Sequence, residues 1–118
     1  MERLKSNRDF SKVYANGKYI AERLIVVHYL PNMLAYSRIG FSVSKKIGKS
    51  VQRNLVKRRL REIIRKLEPQ IKPGFDIVIS ARSGAESALF ENLEKSTRQA
   101  LFRAFLLLKE DREQKRGK

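Results

Sequence analysis

No cysteine occurs in the chain. That excludes a disulfide framework, a zinc site of cysteine type and a thiol nucleophile. Histidine occurs once, as His28, and a lone histidine on a strand is more often a structural or contact residue than a catalyst. Acidic residues are scarce: 12 Asp and Glu stand against 27 Lys and Arg, a formal charge of +15. Asp9, Glu62 and Asp76 fall in different segments, and no spacing among them reads as a metal cluster. The base plus metal, or paired acid and base, that a protein nuclease needs is therefore not legible. Gly40, Gly48 and Gly74 form no phosphate-cradling loop. Long apolar runs are also missing. Leu24 to Val27 and Phe105 to Leu108 are far too short to span a bilayer, and "MERLKSNRDF" lacks the apolar core of a secretory signal. The expectation is a cytoplasmic chain that binds rather than cleaves, with no catalytic residue, metal site or cofactor site of its own.

What the chain does have is positive charge on a foldable background. Hydrophobic residues make up 42% of 118, enough for one domain over 1–118 with a modest core. Lys109 to Lys118 reads as a charged tail expected to fray. A domain so basic usually meets a polyanion; nucleic acid is the first candidate, and an anionic membrane a weak second.

Local signals give the order of elements. Ser6 can cap a first helix with Asp9 in its first turn; Phe10, Val13 and Tyr14 lie at helical spacing, and Gly17 can end it. "IAERLIVVHYL" is β-branched and aromatic, and reads as strand up to Pro31-Asn32. "YSRIGFSVS" alternates, Ile39, Phe41 and Val43 against Arg38, Gly40 and Ser42. A helix is predicted from about Val51 to Leu67, then Pro69 and Pro73-Gly74 punctuate. "FDIVIS" suits a buried strand, with Asp76 at its turn and entry. A long last helix carries Leu89, Leu93, Leu101, Phe105 and Leu108 at spacings of four, three or their multiples. The predicted order is α-β-β-β-α-β-α, with three helices covering a small, mainly antiparallel four-stranded sheet.

The densest charge is "GKSVQRNLVKRRLRE", residues 48–62. At 100° per residue, Val56, Leu60, Ile63, Ile64 and Leu67 share one stripe. Asn54, Lys57, Arg58, Arg61 and Arg65 share the next, while Arg59 and Lys66 point elsewhere. Arg53 lies near the apolar stripe in the first turn, from where it can reach past the sheet edge. A solvated helix face is the ordinary reading of a charge run. Two features argue against it. Only Glu62 opposes the charge within the helix, so a ladder of i, i+4 ion pairs is missing. Lys45, Lys46 and Lys49 extend the basic surface just before it. Guanidinium groups offer paired donors to phosphate, the Asn54 amide can bond sugar or base, and the helix start adds N–H donors.

The segment "GFSVSKKIGKSVQRNLVKRRLRE" (40–62) resembles the bacterial ribonuclease P protein family. The residues that carry the likeness are Ser44-Lys45-Lys46, Gly48, Arg53-Asn54, Lys57-Arg58 and Arg61-Glu62. "LKSNRDFSKVYANGK" (4–18) resembles the family's opening helix and "GFDIVISAR" (74–82) its last strand. The resemblance implies an α/β sandwich with a left-handed βαβ crossover, where the general rule favours a right-handed one. It implies a non-catalytic subunit of ribonuclease P, an endonuclease that removes the 5′ leader of precursor transfer RNA. It further implies that an RNA subunit is the catalyst and uses magnesium. On that likeness the basic region (Lys45, Lys46, Lys49, Arg53, Asn54, Lys57, Arg58, Arg61, Arg65) binds the catalytic RNA. Phe10, Tyr14, Val26, His28 and Ser42 line a cleft for the single-stranded leader. Phe10 and Tyr14 sit one turn apart and could stack on bases, or could be core residues holding the first helix. The family often has tyrosine at the position of His28. The implied partners are the catalytic RNA and precursor transfer RNA, with no DNA or membrane partner and a monomer when alone. A structural RNA-binding protein, such as a ribosomal component, is the alternative that charge and size fit equally. A DNA-binding module fits less well, lacking a helix-turn-helix or zipper signature.

Overall fold

The computed structural model describes residues 1–108, and the charged tail falls outside the described residues. A five-stranded mixed sheet carries helices on both faces. In chain order the elements are β1 (Glu2–Arg3), α1 (Asn7–Asn16), β2 (Lys18–Ala21), β3 (Ile25–Pro31), β4 (Arg38–Ser42), α2 (Ser50–Leu67), β5 (Phe75–Ala81) and α3 (Phe90–Arg103). The expected order holds, with one addition: two residues of β1 pair in parallel with β4 at Arg38 and Ile39. The sheet runs β1-β4-β5-β3-β2. It has five strands rather than four. β2–β3 and β3–β5 are antiparallel, β1–β4 and β4–β5 parallel, so it is evenly mixed. A strand of two residues shows no period, which is why the sequence does not announce β1.

The stretch "IAERLIVVHYL" is a hairpin and not one strand. The chain turns at Glu22–Leu24, with Glu22 N–H donating to Ile25 O at 2.8 Å. That turn holds neither Gly nor Pro, so the usual punctuation is absent. α1 begins as expected: the Asp9 N–H donates to Ser6 Oγ at 3.1 Å. Gly17 ends it for a steric reason, since a Cβ there would lie 2.4 Å from Tyr29 O.

The main core lies between the sheet and the α2–α3 pair. Ile77 and Ile79 of β5, Ile25 and Val27 of β3, and Ile39 of β4 meet the whole predicted apolar stripe of α2, all of it buried. A smaller cluster of Leu4, Val13 and Val78, with Phe10 and Leu30 against it, fixes α1 on the other face. The last helix is shorter than its leucine spacing predicts. It stops at Arg103, Phe105 takes φ +60° and is exposed, and Leu106 turns back into the core. Leu89 is exposed at the helix start. Lys72 N–H bonds Leu106 O and Leu108 N–H bonds Gln70 O, so 106–108 run as an extended segment beside 70–72.

The hand of the β4–α2–β5 crossover follows from hydrogen-bond phase. Arg82 N–H donates to Leu24 O, and Asn32 N–H to Gly74 O. With Ile25 opposite Ala81, the even residues of β5 turn their backbone groups toward β3 and the odd ones toward β4. Odd residues Ile77 and Ile79 also point their side chains at α2. In a strand of L-residues running upward, a residue whose side chain faces the viewer directs its N–H and C=O to the right, as its chirality dictates. Seen from α2, β4 is therefore to the right of β5. The chain passes from right to left through the helix in front: a left-handed crossover, against the general rule.

Candidate nucleic-acid interface

α1 lies over only part of its face of the sheet. Register places Gly40, Val78, His28 and Tyr19 in one row, and Ser42, Ser80, Val26 and Ala21 in the next. Phe10 sits on the first row at Gly40, where a Cβ would come within 2.4 Å of Phe10 Cζ. Its ring joins the Leu4–Val13–Val78 cluster and is half-buried. Tyr14 is 43% exposed. Its hydroxyl lies 3.3 Å from Ser80 Oγ, and its ring meets His28 edge-on with centroids 4.7 Å apart. Tyr19 reaches His28 from the other side at 5.9 Å. Burial lowers the His28 pKa, so the imidazole is neutral near pH 7 and can stack or bond without charge.

The residues expected to line a cleft therefore divide. Tyr14, Val26 and His28 come together on the α1 face of the sheet, and Ser42 stands beside Ser80 in the outer row. Phe10 packs the helix to the sheet. Ser80 and Tyr19 also belong to this surface. Alternation in "FDIVISAR" puts Ser80 on the face of Val78 and could have revealed it; Tyr19 needed the hairpin register.

β4 leads from Ser42 directly into the basic region. Ser44 accepts from Lys46 N–H at 3.3 Å and starts a 3-10 turn at Lys45–Ile47. Gly48 has φ +151°, and a Cβ there would collide with Gln52 Oε1, which accepts the Lys49 N–H at 3.0 Å. Arg53 Nε donates to Gly48 O at 3.1 Å, and no other hydrogen bond or ion pair of its guanidinium is found among the described residues. Asn54, Arg58, Arg61 and Arg65 are exposed and Lys57 half-buried. Among the described residues no ion pair involves Lys45, Lys46, Lys49, Lys57, Arg58, Arg61 or Arg65. The two basic residues off the stripe are used within the fold. Arg59 Nη1 donates to Ala88 O at 3.1 Å, and Lys66 pairs with Glu94 at 3.0 Å.

Asp76 and Asp9 are similarly engaged. Asp76 is buried and takes two bonds from Arg38, Nε at 2.9 Å and Nη2 at 2.7 Å, plus Asn32 Nδ2 at 2.9 Å. It is more than the turn residue its sequence context suggests. Burial pushes its pKa up, but the bonds from Arg38 and Asn32 outweigh this and hold it below the usual carboxylate range. Asp9 approaches the same guanidinium at 3.8 Å. Two carboxylates distant in sequence thus meet, but with an arginine between them. Among the described residues no group of three or more His, Cys, Asp or Glu could hold a metal ion, and no helix is long and apolar enough to cross a membrane.

Known proteins share this sequence pattern and fold. The family profile described as Ribonuclease P matches residues 1–105. A ribonuclease P protein component from a Thermoanaerobacter species is 46% identical over 101 residues, covering 86% of this chain and 87% of its own. The Staphylococcus aureus RNase P protein superposes with TM-score 0.83 at 34% identity, covering 90% of this chain and 97% of its own. A mutant of the same protein, described as having defective mRNA degradation activity, superposes with TM-score 0.82 at 34% identity over 88% of each chain.

Proposed function

The chain belongs to the ribonuclease P protein family, and on that premise we propose that it binds the catalytic RNA subunit through its basic region and the 5′ leader of precursor transfer RNA through the α1–sheet cleft. Family membership carries the coarser statement, a protein component of ribonuclease P serving transfer-RNA 5′ processing, and decides against a ribosomal component. The observation that carries the finer one is the pair of adjoining surfaces. An unpaired stripe (Arg58, Arg61, Arg65, with Asn54 and Lys57) has no ion-pair partner among the described residues. A short way along β4, exposed Tyr14 and the neutral His28 offer ring faces and edges to unpaired bases. Backbone phosphates suit the first surface and stacking suits the second.

The chain alone positions RNA and does not cut it. His28 is held between two tyrosine rings. Asp76, Glu22 and Glu94 are each committed to an arginine or lysine. Magnesium belongs to the RNA subunit in this reading. The test is reconstitution: the protein is added to a bacterial catalytic RNA and a leader-bearing precursor at low magnesium. Enhanced cleavage at the leader junction is expected, and no enhancement would refute the assignment. Rigorously RNA-free protein should leave both precursor transfer RNA and messenger RNA intact at any magnesium concentration.

A further inference from the structure

We propose that the cavity between the β2–β3 turn and α3 is a second RNA site, one that takes the phosphate of a single-stranded ribonucleotide. The ligand's identity rests on the RNA-binding reading above. The cavity holds about 540 Å³ and is lined from the turn by Arg23, from α3 by Asn92, Lys95, Ser96 and Gln99, and from the loop after β5 by Ser83. Its size is that of small-ligand sites.

Three observations point to an anion. Ser96 is only 8% exposed and lines the cavity, yet its hydroxyl has no hydrogen-bond partner among the described residues. The next residue shows the contrast: Thr97 Oγ1 donates back to Leu93 O at 2.9 Å. The Ser96 hydroxyl is thus left available at the cavity wall, while no fully buried side-chain polar atom among the described residues lacks a partner. Second, no ion pair involves Arg23 or Lys95 among the described residues, and the lining carboxylate, Glu22, is neutralised by Arg103. Third, the turn is fixed in advance. Arg82 Nη1 donates to Glu22 O at 2.7 Å, and Arg103 Nη1 to Ala21 O at 3.1 Å. A clamped backbone lowers the ordering cost of binding to that of the Arg23 side chain itself.

Position selects RNA over a free anion. Ala21 and Val26 close the outer row of the cleft, and Arg23 lies on the turn that joins their two strands. The cavity lies on the α3 side of the sheet, so a strand leaving the cleft over that row passes round the turn to enter it. At the turn stand the guanidinium groups of Arg82 and Arg103, which hold its backbone, and beside the cavity Arg23 and Lys95, which no ion pair engages among the described residues.

The experiment is a residue-resolved NMR titration of the full-length protein with a 5′-phosphorylated trinucleotide, its unphosphorylated counterpart and inorganic phosphate. Saturable shifts at Asn92, Ser96 and Gln99 are expected with the phosphorylated probe. Lys95→Ala or Arg23→Ala should weaken them about tenfold, the loss expected of one charge-assisted hydrogen bond, and both side chains are exposed enough to be removed without unfolding. Arg61→Ala should leave them unchanged. The proposal is overturned by absence of saturable shifts at these residues, by no response to Lys95→Ala, or by inorganic phosphate binding as tightly as the trinucleotide. Failure of the broader reading would show elsewhere, as loss of enhancement in the reconstitution assay with cavity shifts intact.

Discussion

Tyr14 and Phe10 sit one turn apart, but only Phe10 packs against a hydrophobic cluster, and alanine substitution should separate packing from the proposed stacking role. Phe10→Ala empties the space above Gly40 and strips the Leu4–Val13–Val78 cluster of its largest neighbour. A fully buried Phe→Ala costs about 3–5 kcal/mol; for a half-buried ring about 2–3 kcal/mol is expected, read as a fall in melting temperature. Tyr14→Ala removes a ring that is 43% exposed and one edge-on contact with His28, worth about 0.5–1.5 kcal/mol. Its larger effect should be on substrate. Stacking on one base is worth about 1–3 kcal/mol, roughly 5- to 150-fold in affinity. The assay is substrate affinity of the holoenzyme against leader length, at saturating protein. The Tyr14→Ala defect should appear with leaders of several nucleotides and vanish with one or none, and Tyr14→Phe should be mild. A Tyr14→Ala defect independent of the leader would refute the cleft. An unchanged melting temperature for Phe10→Ala would refute its packing role. Gly40→Ala provides the converse: a Cβ placed against Phe10 Cζ must displace the ring, so this variant should resemble Phe10→Ala in stability.

Other outcomes follow from the same geometry. Binding to the catalytic RNA should fall with salt at a log–log slope of about −4 to −5 if ~6 phosphates are neutralised; a flat dependence would sink the basic-surface reading. Arg58→Ala should weaken that binding while changing stability by less than about 0.5 kcal/mol, whereas Arg53→Ala should also cost about 1 kcal/mol, because it loses the bond to Gly48 O. Asp76→Asn breaks a buried pair and should destabilise by about 3–5 kcal/mol. Since the folded Asp76 pKa is depressed, its contribution is full above the unfolded value of about 3.9 and lost as pH falls through the folded one. The wild-type melting temperature should therefore drop more steeply than that of Asp76→Asn in acid, and parallel curves would show that Asp76 is not the group responsible.

What the sequence revealed was what depends on near neighbours. The apolar stripe of α2 was legible because its period is set within the helix, and all five residues are buried as read. Ser6 and its bond to the Asp9 N–H were legible for the same reason. The crossover's hand came from family likeness; no local pattern encodes it. The last helix was read too long because Phe105 continues the leucine spacing, while the chain has already reversed to reach Gln70 and Lys72. Phe10 could be read as a cleft residue, a core residue or both, and the packing half of that rests on Gly40, thirty positions on, which leaves room for its ring. The turn at Glu22–Leu24 went unseen because what holds it, Arg82 and Arg103, lies far along the chain.

The position of β5 has a consequence for how the protein is made. Of the three inner strands it is the last to be synthesised, yet both β3 and β4 pair along it. As a ribosome delivers the chain, the β2–β3 hairpin can close on its own, but β4 has only the two residues of β1 beside it. The α2 helix emerges before the Ile77 and Ile79 surface on which it packs. For that interval a nascent chain carries its most basic segment without a finished scaffold, in a compartment crowded with ribosomal RNA. A stalled chain ending before Ala81 should remain unfolded however long it waits, and release of β5 should complete the sheet in one cooperative step, detectable as abrupt protease resistance in a series of arrested chains of increasing length.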